Sequence, residues 1–123
     1  MSQTMKYCEN LLYTDAIIGD IMRKLRENHE FWSNTLVVFS TDNGGDIGEG
    51  GCNYPLRETK ATLFDGNTRT IALVSGGVIP HKLKGSKRAS LFSALDWTPT
   101  LLVFAGLLSG IEERDRTSIN IER

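Results

Sequence analysis

Two adjacent residues with hard oxygen atoms, Asp42 and Asn43, are the first candidates for chemistry in this sequence. A carboxylate beside an amide carbonyl favours calcium or magnesium over zinc, which usually takes imidazole or thiolate ligands. Two ligands are too few for calcium, which takes about six to eight oxygens, so the others would have to come from elsewhere. The run Asp42-Asn43-Gly44-Gly45 also consists of residue types that favour turns, so an ordinary turn is the alternative interpretation.

The candidate residues directly follow a strand-like segment. Residues 36–39, Leu-Val-Val-Phe, form a short apolar run typical of a strand buried on both faces of an α/β sheet. In open α/β sheets, ligands bind outside the carboxyl ends of the strands, which is where the polar and glycine-rich turn begins. Residues 70–74 predict a second buried strand, which stops at Ser75-Gly76-Gly77.

Helical periodicity precedes the first strand. Apolar residues recur at steps of three and four between Leu11 and Leu25, which predicts an amphipathic helix that ends between Asn28 and Trp32. A basic loop, residues 81–88, leads to a second predicted helix that starts at Ala89 and is interrupted or restarted around Pro99. Residues 111–123 are mostly polar and predict an irregular tail.

The composition excludes some classes of protein. The 123 residues carry a net charge of -1, so no overall field would attract nucleic acid or an anionic membrane. No apolar stretch reaches the length of a membrane span, and the first residues do not form a signal peptide. Cys8 and Cys52 match no metal-ligand spacing, so one disulfide and two free thiols both remain open.

Four ordered motifs carry a resemblance to a known family. The run Phe39-Ser40-Thr41-Asp42-Asn43-Gly44-Gly45 closely resembles the FSTDNGG segment of type I sulfatases, in particular the arylsulfatase B-like group of the alkaline phosphatase superfamily. The likeness covers roughly residues 5–107. The further residues that resemble the family pattern are Tyr7, Asp15, Gly19 and Asn34-Thr35 upstream, and downstream Asn53-Tyr54-Pro55-Leu56-Arg57 with Lys60, Asp65-Gly66 with Arg69, and Asp96-Trp97-Thr98-Pro99-Thr100-Leu101-Leu102.

The resemblance implies a fold and a division of the chain. We expect an α/β fragment of an alkaline phosphatase-like core, with a partial, mainly parallel or mixed sheet flanked by helices. Residues 1–110 would be the later half of a sulfatase catalytic domain, and the missing half of that domain is a candidate partner. Family members are usually secreted or lysosomal, although the sequence itself indicates no compartment.

The resemblance also implies roles for individual residues. Asp42 and Asn43 would be calcium ligands, and Asn43 would also touch the sulfate ester of a sulfated sugar or aryl sulfate. Lys60 would be catalytic and would bind a sulfate oxygen, its cation offsetting the negative charge that grows as the ester reacts. Arg57, Asp65 and Arg69 would brace the loop through a buried or half-buried ion pair. Trp97 and Pro99 are interpreted as packing and helix-start residues.

Several positions depart from the family pattern. Gly66-Asn67 stands where the family has two glycines, and Asp65 replaces its glutamate. His29 and His81 match no catalytic histidine of the family and are expected to be solvated. Neither cysteine stands in the C-x-P-S-R motif whose cysteine becomes the formylglycine nucleophile. A nucleophile and its metal are needed together, so we expect the chain alone to be inactive.

Three functional interpretations follow from these residues. The first is a fragment of a sulfatase, an enzyme that hydrolyses sulfate esters. The second is a non-catalytic sulfatase-like module or pseudoenzyme relic that binds a partner. The third is phosphoester chemistry within the same superfamily, where relatives tend to have Asp-His-Gly because zinc prefers the imidazole. Asn43 at that position argues against the third interpretation.

Overall fold

A computed structural model describes residues 2–107 of the chain. The chain divides into two compact units, the first extending to Gly85 and the second beginning at Ser86. The expected polar tail, residues 111–123, lies outside the described residues. No helix among residues 2–107 is long and apolar enough to cross a membrane.

The first unit opens with two helices, α1 (Gln3–Glu27) and α2 (His29–Ser33). Ser2 caps α1 by accepting a hydrogen bond from the backbone N–H of Met5 at 3.2 Å. Asn28 ends α1 and caps α2, because its side-chain oxygen accepts from the N–H of Phe31 at 2.9 Å. The predicted end of the first helix is therefore confirmed.

The apolar stripe of α1 is only partly covered. Ile18, Met22 and Leu25 are half-buried, as the helical periodicity predicts. Leu11 and Ile21 belong to the same predicted face, yet they are 54% and 53% exposed. Residues 2–107 include no buried hydrophobic side chain at all, so the stripe marks a surface that the described residues leave largely open to solvent.

Two strands follow, β1 (Val37–Ser40) and β2 (Ala72–Ser75). They pair antiparallel, with Val37 opposite Ser75 and Ser40 opposite Ala72. The predicted α/β fragment is confirmed, and the sheet of the described residues is one antiparallel pair rather than a mainly parallel sheet. The prediction that the strands are buried on both faces is wrong for this chain, because Leu73 of β2 is 59% exposed and no described element covers it.

Between the strands lie a single 3-10 turn, Ile47–Glu49, and a four-residue helix, α3 (Asp65–Thr68). A second 3-10 turn, His81–Leu83, follows β2. The long segment between β1 and β2 is thus mostly irregular, and its conformation depends on side-chain hydrogen bonds rather than on regular structure.

The second unit contains α4 (Trp97–Phe104), which a 3-10 turn at Ala94–Asp96 precedes. The predicted start at Ala89 is wrong, because Ser93 and Asp96 form a capping box in which the Ser93 N–H donates to Asp96 at 2.7 Å. Pro99 lies in the first turn of α4, where a missing N–H is tolerated. Gly106 has φ 73°, and the N–H of Leu107 bonds to the carbonyl of Leu102 at 3.0 Å, which closes the helix.

Candidate functional site

Asp42 and Asn43 lie where the sequence predicts them, just beyond the carboxyl end of β1. Thr41 extends the strand pairing by one residue, since its N–H donates to Ile71 O at 3.0 Å and its hydroxyl accepts from the Ile71 N–H at 3.1 Å. Both bonds join Thr41 to Ile71, so they fix the end of β1 against the segment that leads into β2. Asp42 and Asn43 follow as the first residues that leave the sheet.

Within residues 2–107, the side chains of Asp42 and Asn43 form hydrogen bonds only with the backbone of the next residue in the sequence. Asp42 Oδ1 accepts from the N–H of Asn43 at 2.8 Å, and Asn43 Nδ2 donates to Gly44 O at 2.9 Å. Asp42 is exposed and Asn43 is half-buried. Among the described residues, Asp42 Oδ2 and Asn43 Oδ1 accept no hydrogen bond. One carboxylate oxygen and one amide oxygen are thus available to a cation.

Gly44 touches the backbone of a distant segment. A Cβ atom on Gly44 would overlap the carbonyl oxygen of Gly66, and a Cβ on Gly66 would overlap the carbonyl oxygens of Arg57 and Glu58. The N–H of Gly44 donates to Asn67 O at 2.9 Å, and the N–H of Gly66 donates to Arg57 O at 2.8 Å. Glycine is required at both positions because three backbone segments meet there.

The carbonyl oxygen of Gly45 is the meeting point of the site. It accepts from Asn53 Nδ2 at 2.8 Å, from the Thr59 hydroxyl at 3.1 Å and from the N–H of Lys60 at 3.3 Å. The N–H of Gly45 donates to Asn53 Oδ1 at 2.8 Å. Lys60 is therefore bonded through its backbone to the residue that lies two positions after Asn43.

Asn67 fastens the turn that carries Lys60 from the other side. Its Oδ1 accepts from the N–H of Ala61 at 3.3 Å, and its Nδ2 donates to Thr62 O at 2.7 Å. Glu58 and Ala61 have φ of 71° and 69°, a left-handed conformation that non-glycine residues adopt at a cost of about 1 kcal/mol each. The bonds to Asn53, Thr59 and Asn67 hold this unfavourable turn in place.

Sequence reasoning missed the part played by three residues. Asn53 appears in a family motif without an assigned role, and Asn67 is visible as a departure from the family glycine. Thr59 gives no signal, because a hydroxyl that bonds to a carbonyl 14 residues away follows no period. All three act on backbone atoms of Gly45 or of the Lys60 turn, so they position the candidate site rather than contact a ligand.

Asp65 and Arg69 form an ion pair as expected, whereas Arg57 pairs with Glu58, and neither pair is buried. Arg69 lies 3.9 Å from Asp65, with both side chains at least 65% exposed. Arg57 lies 3.7 Å from Glu58 and stacks its guanidinium 3.9 Å from the ring centroid of Phe64. The prediction of a buried or half-buried brace is wrong, because these side chains are largely exposed. Exposed pairs contribute roughly 0–1 kcal/mol, so they stabilise the loop only weakly.

The chemistry of the donor set fits part of a calcium site. Asp42 and Asn43 supply hard oxygens, which calcium prefers. No group of three or more His, Cys, Asp or Glu side chains that could hold a metal ion lies within residues 2–107. His29 and His81 are exposed, as predicted, and Cys8 and Cys52 are exposed free thiols. The described residues could therefore contribute two ligands to such a site.

Comparison with known proteins identifies the family. A family model described as Sulfatase matches residues 2–107. The chain belongs to the sulfatase family and covers part of its catalytic domain, which confirms the family that the motifs indicate.

Individual relatives agree with this assignment. The chain is 33% identical to arylsulfatase J of Mus musculus over 100 residues, which are 81% of this chain and 16% of that protein. It is 33% identical to arylsulfatase A of Homo sapiens over 101 residues, 80% of this chain and 19% of that protein. It is 33% identical to N-acetylgalactosamine-6-sulfatase of Homo sapiens over 116 residues, 86% of this chain and 20% of that protein. The chain spans about a fifth of the length of these relatives. No solved structure matches it significantly.

Proposed function

We propose that these residues serve the hydrolysis of sulfate esters by supplying part of the calcium and sulfate site of a sulfatase. Asp42 and Asn43 hold the metal, and Asn43 and Lys60 bind the sulfate group of a sulfated sugar or an aryl sulfate. The observation that carries the proposal is the hydrogen bond from the Lys60 N–H to the carbonyl oxygen of Gly45, two residues after Asn43.

Each group has a distinct chemical task. The amide of Asn43 can present its oxygen to calcium, while its Nδ2 donates to Gly44 O at 2.9 Å. The Lys60 ammonium offsets negative charge on a sulfate oxygen, and the bonds from Asn53, Thr59 and Asn67 restrict where its backbone can lie. Calcium, when bound, would add positive charge beside the same ester and polarise its sulfur–oxygen bonds.

The 123 residues as they stand lack a nucleophile for this reaction. They contain no C-x-P-S-R sequence, and Cys8 and Cys52 occur in Tyr-Cys-Glu-Asn and Gly-Cys-Asn-Tyr. Binding of sulfate and calcium without attack on sulfur leaves the ester intact. The purified chain is therefore proposed to bind both ions weakly and to release no product from an aryl sulfate.

An NMR titration tests the binding part of the proposal. Inorganic sulfate, added to the chain in calcium, is expected to shift the signals of Asn43 and Lys60, and Lys60→Ala is expected to abolish the shift at Asn43. Lys24→Ala is the matched control, since Lys24 is an exposed lysine of α1 that pairs with Glu27 at 3.0 Å. Equal shifts in Lys60→Ala and in the unmodified chain would contradict the role of Lys60.

An activity assay tests the catalytic part. The chain is expected to release no phenol from an aryl sulfate over many hours. Steady release that disappears in Lys60→Ala would contradict the proposed inactivity and would require a nucleophile among these 123 residues.

A further inference from the structure

Charge is unevenly distributed along this chain. Residues 66–95 contain five Lys and Arg and no Asp or Glu, whereas the whole chain has a net charge of -1, so the other 93 residues carry a net charge of -6. Four of the five cations, together with His81, lie within the eight residues His-Lys-Leu-Lys-Gly-Ser-Lys-Arg at 81–88, called here the basic segment. The overall charge balance therefore hides a strongly positive stretch of chain.

The cations of the basic segment are open to solvent. Its four Lys and Arg residues are exposed, and within residues 2–107 no carboxylate lies within ion-pair distance of any of them; they are Lys82, Lys84, Lys87 and Arg88. Two cations of α1 differ, because Arg23 lies 2.6 Å from Asp20 and Lys24 lies 3.0 Å from Glu27. The basic segment thus keeps its positive charge available to a ligand.

The segment needs no fixed geometry to act on a linear polymer. Lys82 and Arg88 are six residues apart, so covalent connection alone keeps their Cα atoms within roughly 22 Å of each other. A polyanion that meets several such cations releases its condensed counterions, which favours binding at low salt. Gly85, with φ 75°, and the 3-10 turn at His81–Leu83 bend this part of the chain without burying its cations.

We propose that the basic segment binds sulfated polysaccharide and thereby holds a polymeric substrate on the protein. The proposal rests on the proposed function, because a sulfate-ester site on the same chain makes a chain of sulfate esters the fitting polyanion. A polymer held at two places has a higher effective concentration at each of them. The segment would therefore favour polymeric over small sulfate esters.

Two other polyanions fit the segment less well. Single-stranded nucleic acid is usually bound by aromatic side chains that stack on bases, and residues 81–88 contain no Phe, Tyr or Trp. A membrane-surface segment presents apolar side chains to the lipid, whereas Leu83, the large apolar residue of this segment, is half-buried.

Binding of a fluorescent heparin oligosaccharide across a series of salt concentrations tests the proposal. For four cations in contact with the polymer, the logarithm of affinity is expected to fall with the logarithm of salt with a slope of about -3. The triple variant Lys82→Gln, Lys84→Gln, Lys87→Gln is expected to lose at least about tenfold in affinity at low salt and to flatten the slope by about two. The matched control Lys6→Gln, Arg23→Gln, Lys24→Gln removes the same charge and is expected to bind within about twofold of the unmodified chain.

Binding of desulfated heparin, single-stranded DNA and phosphatidylserine vesicles distinguishes a sulfated polysaccharide from a nucleic acid or a membrane as the ligand of the basic segment. Heparin stripped of its sulfates is expected to bind at least about tenfold more weakly than the sulfated form. Equal losses in both triple variants would overturn the proposal, as would equal or tighter binding of single-stranded DNA or of phosphatidylserine vesicles. Lys60→Ala separates the two proposals, since it is expected to keep heparin affinity while losing the response of Asn43 to inorganic sulfate. If inorganic sulfate does not shift the Asn43 signal of the unmodified chain while heparin still binds, the sulfate-ester site is contradicted and the role of the basic segment is not.

Discussion

Asn53 and Gly45 exchange two hydrogen bonds, because Asn53 Nδ2 donates to Gly45 O and Asn53 Oδ1 accepts from the N–H of Gly45, each at 2.8 Å. Asn53 Nδ2 also donates to Glu58 O at 3.2 Å. One half-buried side chain therefore joins Gly45, two residues after Asn43, to the start of the turn that carries Lys60. Asn53 therefore holds the segment that contains Asp42 and Asn43 next to the turn that contains Lys60.

Replacing Asn53 should release that junction. Asn53→Ala leaves the N–H of Gly45 without its acceptor, and a part-buried donor left unsatisfied costs about 1–3 kcal/mol. The amide of Gly45 is expected to exchange its hydrogen at least about fivefold faster, as measured by NMR. Asn10→Ala, at an exposed position of α1, should leave that rate unchanged. Unchanged exchange of Gly45 in Asn53→Ala would contradict the junction.

Asn67 should act on the Lys60 turn alone. Asn67→Gly removes the acceptor of the Ala61 N–H and the donor to Thr62 O, while the backbone bond from Gly44 can persist. Exchange at Ala61 is expected to rise at least about fivefold with little change at Gly44. Thr68→Ser, which keeps the hydroxyl that bonds to Phe64 O, is the matched control in the same helix. Acceleration at Gly44 as large as at Ala61 would mean that the variant unfolds the loop generally.

The sequence predicts the position of the site better than its supports. Asp42 and Asn43 follow a strand that the apolar run at 36–39 predicts, and this prediction needs only residues that are neighbours in the sequence. The contacts of Asn53, Thr59 and Asn67 join residues five to 14 positions apart through side chain to backbone bonds, which leave no periodic pattern.

Burial was the least predictable property. The periodicity of α1 and the apolar content of β1 and β2 predict surfaces that favour burial, but periodicity does not say what covers them. In this chain each strand pairs with the other alone among the described residues, and Val74 stays 50% exposed. Helix α4 begins at Trp97 rather than at Ala89 because the Ser93–Asp96 capping box sets the start, and that box depends on side-chain hydrogen bonds that an apolar pattern does not reveal.

Calcium should bind weakly to the purified chain. Asp42 and Asn43 leave most of the coordination shell to water, and sites with few charged ligands bind weakly. Calorimetry is expected to give a dissociation constant weaker than about 100 µM, lost in Asp42→Asn, which retains the oxygen that accepts from the Asn43 N–H. Asp46→Asn is the matched control, since Asp46 caps Gly48 at 2.9 Å from the same loop. Micromolar affinity that disappears in Asp42→Asn would imply further ligands.

Exposed apolar side chains of α1 should make the chain associate with itself. Tyr13, Ile17 and Ile21 recur every four residues and are 73%, 60% and 53% exposed, which forms an apolar row on one side of the helix. Light scattering is expected to detect reversible oligomers at high concentration, reduced in Ile17→Gln, Ile21→Gln. The control Asn10→Gln, Thr14→Gln changes polar residues of the same helix. Equal association in the two double variants would contradict a role for this row.

The separation between the Asp42–Asn43 pair and the Lys60 ammonium tests the proposed site most directly. One sulfate must touch both, so their polar tips should lie within about 10 Å of each other. Manganese accepts the same oxygen ligands as calcium and broadens nearby NMR signals. With manganese present, the side-chain signals of Lys60 should broaden together with those of Asn43, while Lys24 stays sharp and Asp42→Asn removes the effect. Broadening at Asn43 with a sharp Lys60 signal would contradict the proposed site and leave only the family assignment.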